Sequence, residues 1–400
     1  MARHHRFVFT GIAVSGLLIA AGLSGCSERP ATEPTRLDLF TSGAQGYEMY
    51  RIPGLVVTPK GTLLAYAEAR RTGRGDWGAI DIMLRRGENG GSHWGEQEVI
   101  ARVSGPLTKN PMALAQKLGS EGAITYNNPV AIIDRQNGAV HFLFCIEYMR
   151  AFYMRSDDDG RTFSDPVEIT ATFDQFRPEY DWKVLATGPG HGIQLKNGRL
   201  LVPVWLSTGT GGHAHRPSVV STIYSDDGGA TWKRGEIAVP NNEEFVNPSE
   251  TVAEQLADGR VMLNVRSEST QRRRLVVTSP DGATGWATPR FQEELVEPIC
   301  FGSLVRFSGA GDDRPDRLLF VNPDSPTRER RNLTVRLSED DGATWTRKKA
   351  VEPGWSGYAD INVGPDGAIY CFYERGGLEP NPSRVAWLTL AKFDLDWLTR

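Results

Sequence analysis

An all-β fold, a six-bladed β-propeller of four-stranded antiparallel blades, is predicted by three observations. A turn followed by an apolar strand recurs six times, at a period of roughly sixty residues. A second turn motif, Ser-x-Asp-x-Gly-x-Thr-aromatic, interleaves with the first. Apolar residues at i, i+3, i+4 spacing are scarce beyond the N-terminus, so helices should be few. With 43 Gly, 24 Pro and 10 Trp in 400 residues, the composition suits a turn-rich sheet protein with one large core.

The first motif places Pro59-Lys60-Gly61 before LLAYAEAR, Gln136-Asn137-Gly138 before AVHFLFCIEY, and Lys196-Asn197-Gly198 before RLLVPVW. It continues with Ala257-Asp258-Gly259 before RVMLNVRSE, Arg314-Pro315-Asp316 before RLLFVNP, and Pro365-Asp366-Gly367 before AIYCFYE. Gly and Asn supply the positive φ that tight hairpins need. The second motif runs Ser156 to Phe163, Ser225 to Trp232 and Ser338 to Trp345, with degenerate copies ending at Trp94 and Trp286. A structural role explains these turns better than a calcium or sugar site: Ser and Asp bond the turn backbone, and the aromatic packs beneath. The last blade should close the ring by pairing the segment 37–40 with C-terminal strands, including 385–393, which removes an exposed edge.

Strand order places the chemistry. With strands A to D antiparallel in each blade, the glycine turn joins A to B and the Ser-Asp turn joins C to D. Both turns lie at one end of the blade. The start of A, the end of B, the B–C loop and the start of C lie at the other. Arg51 begins an A strand, Arg266 ends a B strand and Arg330 begins a C strand, so all three share one face. Three guanidiniums repel one another and cannot deprotonate, so a cluster of them calls for a strong anion, a carboxylate by preference. The same face collects Glu68 and Arg70 at a B-strand end, Asp76 in a Gly-rich B–C loop, Glu250 and Tyr358 at A-strand starts, and Glu374 at the last B-strand end.

The phrases Tyr50-Arg51-Ile52-Pro53, Ala67-Glu68-Ala69-Arg70, Asp76 followed by IDIMLRRG, the Asp-box turns and Gly357-Tyr358-Ala359-Asp360 together resemble the bacterial exo-α-sialidases (neuraminidases) with six-bladed propellers. The resemblance covers nearly everything after the N-terminal segment. It implies retaining hydrolysis of terminal α-linked sialic acids through a tyrosyl-enzyme intermediate, without cofactor or metal. Arg51, Arg266 and Arg330 would hold the sialic acid carboxylate. Tyr358 would be the nucleophile, Glu250 its base and Asp76 the acid/base. Arg70 would reach the O4 side of the sugar, and Glu374 would orient Arg51. Arg331 adjoins Arg330, but strand alternation points the two to opposite faces, and spacing favours Arg330. The chemistry suits the substrate: a carboxylate nucleophile would be repelled by the carboxylate on the anomeric carbon, whereas a neutral phenol is not, provided a base takes its proton.

Other segments carry less. Arg3 and Arg6 precede an apolar run from Phe7 to Leu23 and then Leu23-Ser24-Gly25-Cys26, which resembles a bacterial lipoprotein signal and lipobox. Residues 1–26 would be the signal, 27–36 a tether and 37–400 the catalytic domain, anchored to the cell envelope through acylated Cys26 alone. Cys145, Cys300 and Cys371 remain, an odd count that gives no disulfide framework, and Cys145 and Cys371, in apolar strands, read as buried thiols. The formal net charge of −4 falls to −6 once the two arginines of the first 26 residues are removed, which argues against nucleic acid. Arg272-Arg273-Arg274 reads as a solvated loop. His191, in Gly188-Pro189-Gly190-His191, resembles a family phrase near the pocket, while His213 and His215 read as loop residues without metal-ligand company. The expected partners are sialylated glycans, glycoproteins or gangliosides, with the protein a monomer. Two rivals stay open. A non-catalytic binding propeller need not keep Asp76, Glu250 and Tyr358 together. A sialyl transferase would use the same residues plus an acceptor subsite, for which Trp77 and Trp205 are candidates.

Overall fold

Short apolar runs bounded by Gly- and Asp-containing turns fold as strands throughout. A computed structural model describes residues 1, 2, 5, 33–73, 75–210, 212–307, 317–377 and 384–400. The chain divides into a short unit, Met1–Ala31, and a large one, Thr32–Arg400, which holds every strand described. Cys26, most of the expected signal segment and the turn 314–316 lie outside the described residues. The large unit is all-β. Its described helices are three single turns, Pro111–Ala115, Thr170–Asp174 and Leu395–Thr399.

Strands that follow one another in sequence pair antiparallel. Met49–Val57, Leu63–Arg70 and Ile80–Glu88 form one such group. Tyr126–Ile133, Val140–Ile146 and Arg150–Ser156 form the next. Thr251–Gln255, Val261–Val265 and Arg273–Ser279 continue the pattern further along. The 17-residue strand Arg347–Val363 serves two groups: its first half pairs with Arg331–Ser338 and its second with Ile369–Gly376. The chain ends meet as expected, with Thr35–Thr41 beside Val385–Phe393 and Leu37 opposite Leu390. That strand takes in Thr35 and Arg36, which sequence assigned to the tether; the Arg36 guanidinium donates to the Val351 carbonyl at 2.7 Å.

The Ser-Asp turns are built by their own side chains. Ser225 Oγ donates to Asp227 Oδ1 at 2.7 Å and accepts from the Gly229 N–H at 2.9 Å. Asp227 also takes the Thr231 N–H and hydroxyl, at 2.9 and 2.6 Å. Ser156 and Ser338 head the same network, and the degenerate copy at Ser279 and Asp281 reproduces most of it. Trp232 and Trp345 are buried beneath their turns.

A polar knot ties separate sheets together. The Asp360 carboxylate is fully buried and accepts from the Leu55 N–H at 2.8 Å and the Ser303 hydroxyl at 2.6 Å, with His191 Nδ1 at 2.7 Å. Tyr66 joins in, donating to the Gly190 carbonyl at 2.7 Å and accepting from the Ala131 N–H at 2.9 Å. His191 does not line the cavity that holds the arginines, where its sequence phrase had placed it. Its ring is held by Asp360 and borders a cavity beside Pro59, at the glycine-turn end. Arg274 is a second correction. Alternation in Arg273–Ser279 turns it inward, where it is fully buried and bonded to Asn264 Oδ1 and Glu297 Oε2, each at 2.6 Å. The three remaining cysteines are buried and free.

Deleting residues 385–400 removes the strand that joins the chain ends. The expected result is loss of the cooperative thermal transition of the whole domain; a truncated protein that melts cooperatively at the wild-type temperature would contradict the closure.

Candidate active site

One cavity is lined by Arg51, Arg266, Arg330, Asp76, Glu250 and Tyr358, so the structure brings these distant residues together. Each arrives by strand order. Arg51 lies in Met49–Val57, where a bulge between Arg51 and Gly54 re-aims the chain. Ile52 takes a φ of 57° there, a rare conformation for a β-branched residue. Arg266 follows Val261–Val265 directly, Glu250 precedes Thr251–Gln255, and Arg330 precedes Arg331–Ser338. Arg330 is drawn in by the Ile299 carbonyl at 2.7 Å, while the Arg331 side chain is 62% exposed beside Glu329, as alternation required.

Tyr358 is the centre of the cluster. Its hydroxyl donates to Glu250 Oε1 at 2.6 Å and accepts from Arg266 Nη1 at 2.8 Å, and Arg266 also pairs with Glu250 Oε2. The guanidinium carbons of Arg51 and Arg330 each lie 5.2 Å from the centre of its ring. Burial pushes the phenol well above its ordinary range against the downward pull of Arg266, and the Glu250 charge pushes it further. The resting hydroxyl is thus neutral, with a carboxylate in place to take its proton and a guanidinium to stabilise the oxygen left behind.

Two expected residues stand behind the wall. Glu374 is fully buried and accepts from Arg51 Nε at 3.0 Å and from the backbone N–H groups of Ile52 and Tyr358, at 3.2 and 3.1 Å. One carboxylate therefore fixes both the first arginine and the phenol-bearing backbone. Arg70 is 1% exposed and pairs with Glu68 at 2.8 Å and with Asp76 Oδ1 at 2.9 Å. Asp76 itself is 43% exposed to the cavity. Its partial removal from water favours the neutral acid, but Arg70, then Arg51 and His215, outweigh this and hold it below the usual carboxylate range.

Several lining residues were not among those the sequence nominated for the site: Asn128, Tyr148, Arg216 and Glu268, with His213 and His215, which read only as loop residues. The signal was present: each sits near the start of an A strand, in a B–C loop or at a B-strand end, the positions that nominated the others. His213 and His215 are in a loop, as read, but that loop forms the cavity wall. Burial lowers the His215 imidazole to about 4, so it is neutral at ordinary pH. Trp205 lines the cavity. Trp77, offered as a flanking aromatic, is instead buried, its ring 4.6 Å from Tyr148 and 5.5 Å from His215. Among the described residues no cluster of three or more His, Cys, Asp or Glu side chains suits a metal.

Gly357 shows how tight the assembly is. A Cβ there would stand 2.1 Å from Glu374 Oε2. Gly357→Ala should displace that carboxylate and weaken a carboxylate-bearing ligand about tenfold or more, since charge-assisted bonds are each worth about 1.5–3 kcal/mol. Calorimetric titration checks it; unchanged affinity would mean that Glu374 does not position Arg51.

A family model described as a BNR repeat-like domain matches residues 61–371. A sialidase from Micromonospora viridifaciens is 32% identical over 94% of the chain, and the chain spans only 58% of that relative's length. Sialidase-2 of Mus musculus is 30% identical over 84% of the chain and 91% of its own length. Among solved structures, a Hadza microbial sialidase superposes with a TM-score of 0.70 at 24% identity, covering 89% of this chain and 68% of that one. The chain belongs to the sialidase family and carries a BNR repeat-like domain.

Proposed function

We propose that the protein is an exo-α-sialidase that removes terminal α-linked sialic acids from glycoproteins or gangliosides with retention of configuration. The observation that carries this is the Tyr358 hydroxyl, bonded to Glu250 and Arg266 beneath Arg51 and Arg330. The three arginines take the substrate carboxylate. Tyr358 Oη attacks the anomeric carbon as its proton passes to Glu250. The glycosidic C–O bond breaks, and Asp76 delivers a proton to the departing oxygen. In the second half, Asp76 takes a proton from water, the water oxygen attacks the same carbon, and Tyr358 leaves with its proton returned by Glu250. Two inversions give net retention. Arg70 then serves the site by holding Asp76, and contact with the sugar's O4 side would need it to reach past that carboxylate. Sialyl transfer needs an acceptor subsite, and the burial of Trp77 removes one candidate wall for it.

The fold reads as a six-bladed propeller. Its support is the strand Arg347–Val363, which serves two adjacent groups, and the pairing of chain ends. From its sequence the protein is further proposed to be a monomer, tethered to the bacterial envelope through lipidated Cys26. Cys26→Ser should release active enzyme into the soluble fraction or leave unprocessed precursor; unchanged membrane retention with normal cleavage would remove the anchor.

The function is tested by NMR of the first product from a natural sialoside in water, expected as the α-anomer; a β-anomer appearing first would overturn retention. Tyr358→Phe should abolish most turnover. Asp76 must be protonated to act, and its neighbours hold its pKa low. Turnover of a poor leaving group should therefore decline as pH rises, while an aryl sialoside, which needs little protonation, shows a flatter profile. Parallel pH profiles for the two substrates would exclude Asp76 as the acid.

A further inference from the structure

The loop that carries Asp76, residues 71–79, touches a buried ion pair that the mechanism does not use. Lys109 and Glu147 have side chains 1% and 0% exposed. Lys109 Nζ lies 3.0 Å from Glu147 Oε1 and donates to the Trp77 carbonyl at 2.5 Å, to the Ala123 carbonyl at 2.9 Å and toward Thr125 Oγ1 at 3.2 Å. Thr125 in turn gives its hydroxyl proton to the Gly78 carbonyl at 2.6 Å and its N–H to Glu147 Oε1 at 2.7 Å. The other Glu147 oxygen accepts from the Asn110 N–H at 3.2 Å. Lys109 thus holds the carbonyl of Trp77 and Thr125 that of Gly78, the two residues that follow Asp76.

A buried ammonium is costly unless its protons are all engaged, so this one has a strong preference for a single geometry. What it fixes is the peptide one residue beyond the carboxyl at the pocket. On the far side of the loop the Gly73 N–H bonds half-exposed Glu48, and Arg70 bonds the Gly75 carbonyl at 3.3 Å. The Trp77 ring, turned away from the cavity, packs on Tyr148 and His215, both of which line it. Displacing the Trp77 carbonyl therefore shifts the carboxyl and that wall together.

We propose that Lys109, with Glu147 and Thr125, is a positioning group for the Asp76 carboxyl, setting its reach to the departing glycosidic oxygen. The inference rests on the reading of Asp76 as the acid. It touches no substrate, and its effect passes through the backbone of Trp77 and Gly78. A misplacement of about 1 Å at a catalytic group costs on the order of a hundredfold, so the effect is measurable without loss of fold.

The test compares a sialyllactose with an aryl sialoside. Lys109→Met/Glu147→Gln removes both charges at once, so no buried charge is stranded. Thr125→Val is the milder variant, deleting the hydroxyl's bond to Gly78 and its 3.2 Å contact with Lys109 while leaving both charges paired, for use if the double variant fails to fold. Each should lower kcat on sialyllactose by about tenfold to a hundredfold and on the aryl substrate by about threefold or less, because only the first needs the proton. A merely structural role would lower melting temperature and depress both substrates alike. Asp76→Asn is run beside them. If it discriminates between the substrates and the Lys109 and Thr125 variants do not, the positioning role is wrong while the acid reading stands. If Asp76→Asn itself shows no discrimination, the acid reading falls and this inference with it.

Discussion

The arrangement hangs on one buried carboxylate. Glu374 sits at the end of a late strand and reaches Arg51, 323 residues away in sequence, while also taking the N–H groups of Ile52 and Tyr358. Leaving such a charge unpaired costs about 3–5 kcal/mol, so the geometry of its partners is strongly enforced. That enforcement lets Ile52 occupy a positive φ and aims Arg51 across the phenol. Because the partners come from the first and last thirds of the chain, the site cannot form until the ends of the sheet array have met.

Asp360 does for the scaffold what Glu374 does for the site. The two lie on neighbouring paired strands, both are fully buried, and both accept from the strand Met49–Val57. Apolar packing between sheets is tolerant of small slips, whereas a carboxylate with three fixed donors is not. The polar knots therefore set register between sheets, and the apolar clusters around them supply most of the burial.

Much of this was legible in sequence, because the rule that placed the residues was topological. Val265 ends a strand and Arg266 follows it; Glu250 precedes one; Tyr358 opens the second half of another. Strand direction alone put them on one face. What stayed hidden depends on where a side chain turns within a loop or a strand end. Arg274 looked solvated because its run is basic, yet alternation buried it against Glu297. His215 looked like loop composition, and its burial comes from Trp77, Tyr148 and Trp205, which no local pattern announces. Arg70 ends the strand that leads to Asp76, and its depth behind that carboxylate follows from pairing with Glu68 on the same strand.

Charge balance links the resting site to the proposed chemistry. Arg51, Arg70, Arg266 and Arg330 are met by Glu68, Asp76, Glu250 and Glu374, so these groups together carry no large net charge. Each arginine is nonetheless unevenly shared: Glu374 holds Arg51 and Glu250 holds Arg266, whereas Arg330 is met chiefly by a carbonyl. A substrate carboxylate entering here adds a fifth negative charge among the same groups. It competes with Asp76 for the field of Arg51, one of the charges that hold the Asp76 proton off. In the proposed reaction, binding would therefore raise the proton affinity of Asp76 as the glycosidic oxygen arrives beside it. The low resting value is thus compatible with an acid role, because the ligand's own charge relieves part of the field that depresses it. Under the same proposal Tyr358 would respond in the same direction: the added anion would raise the cost of its phenolate, so attack would be concerted with proton transfer to Glu250 and would not wait for prior ionisation.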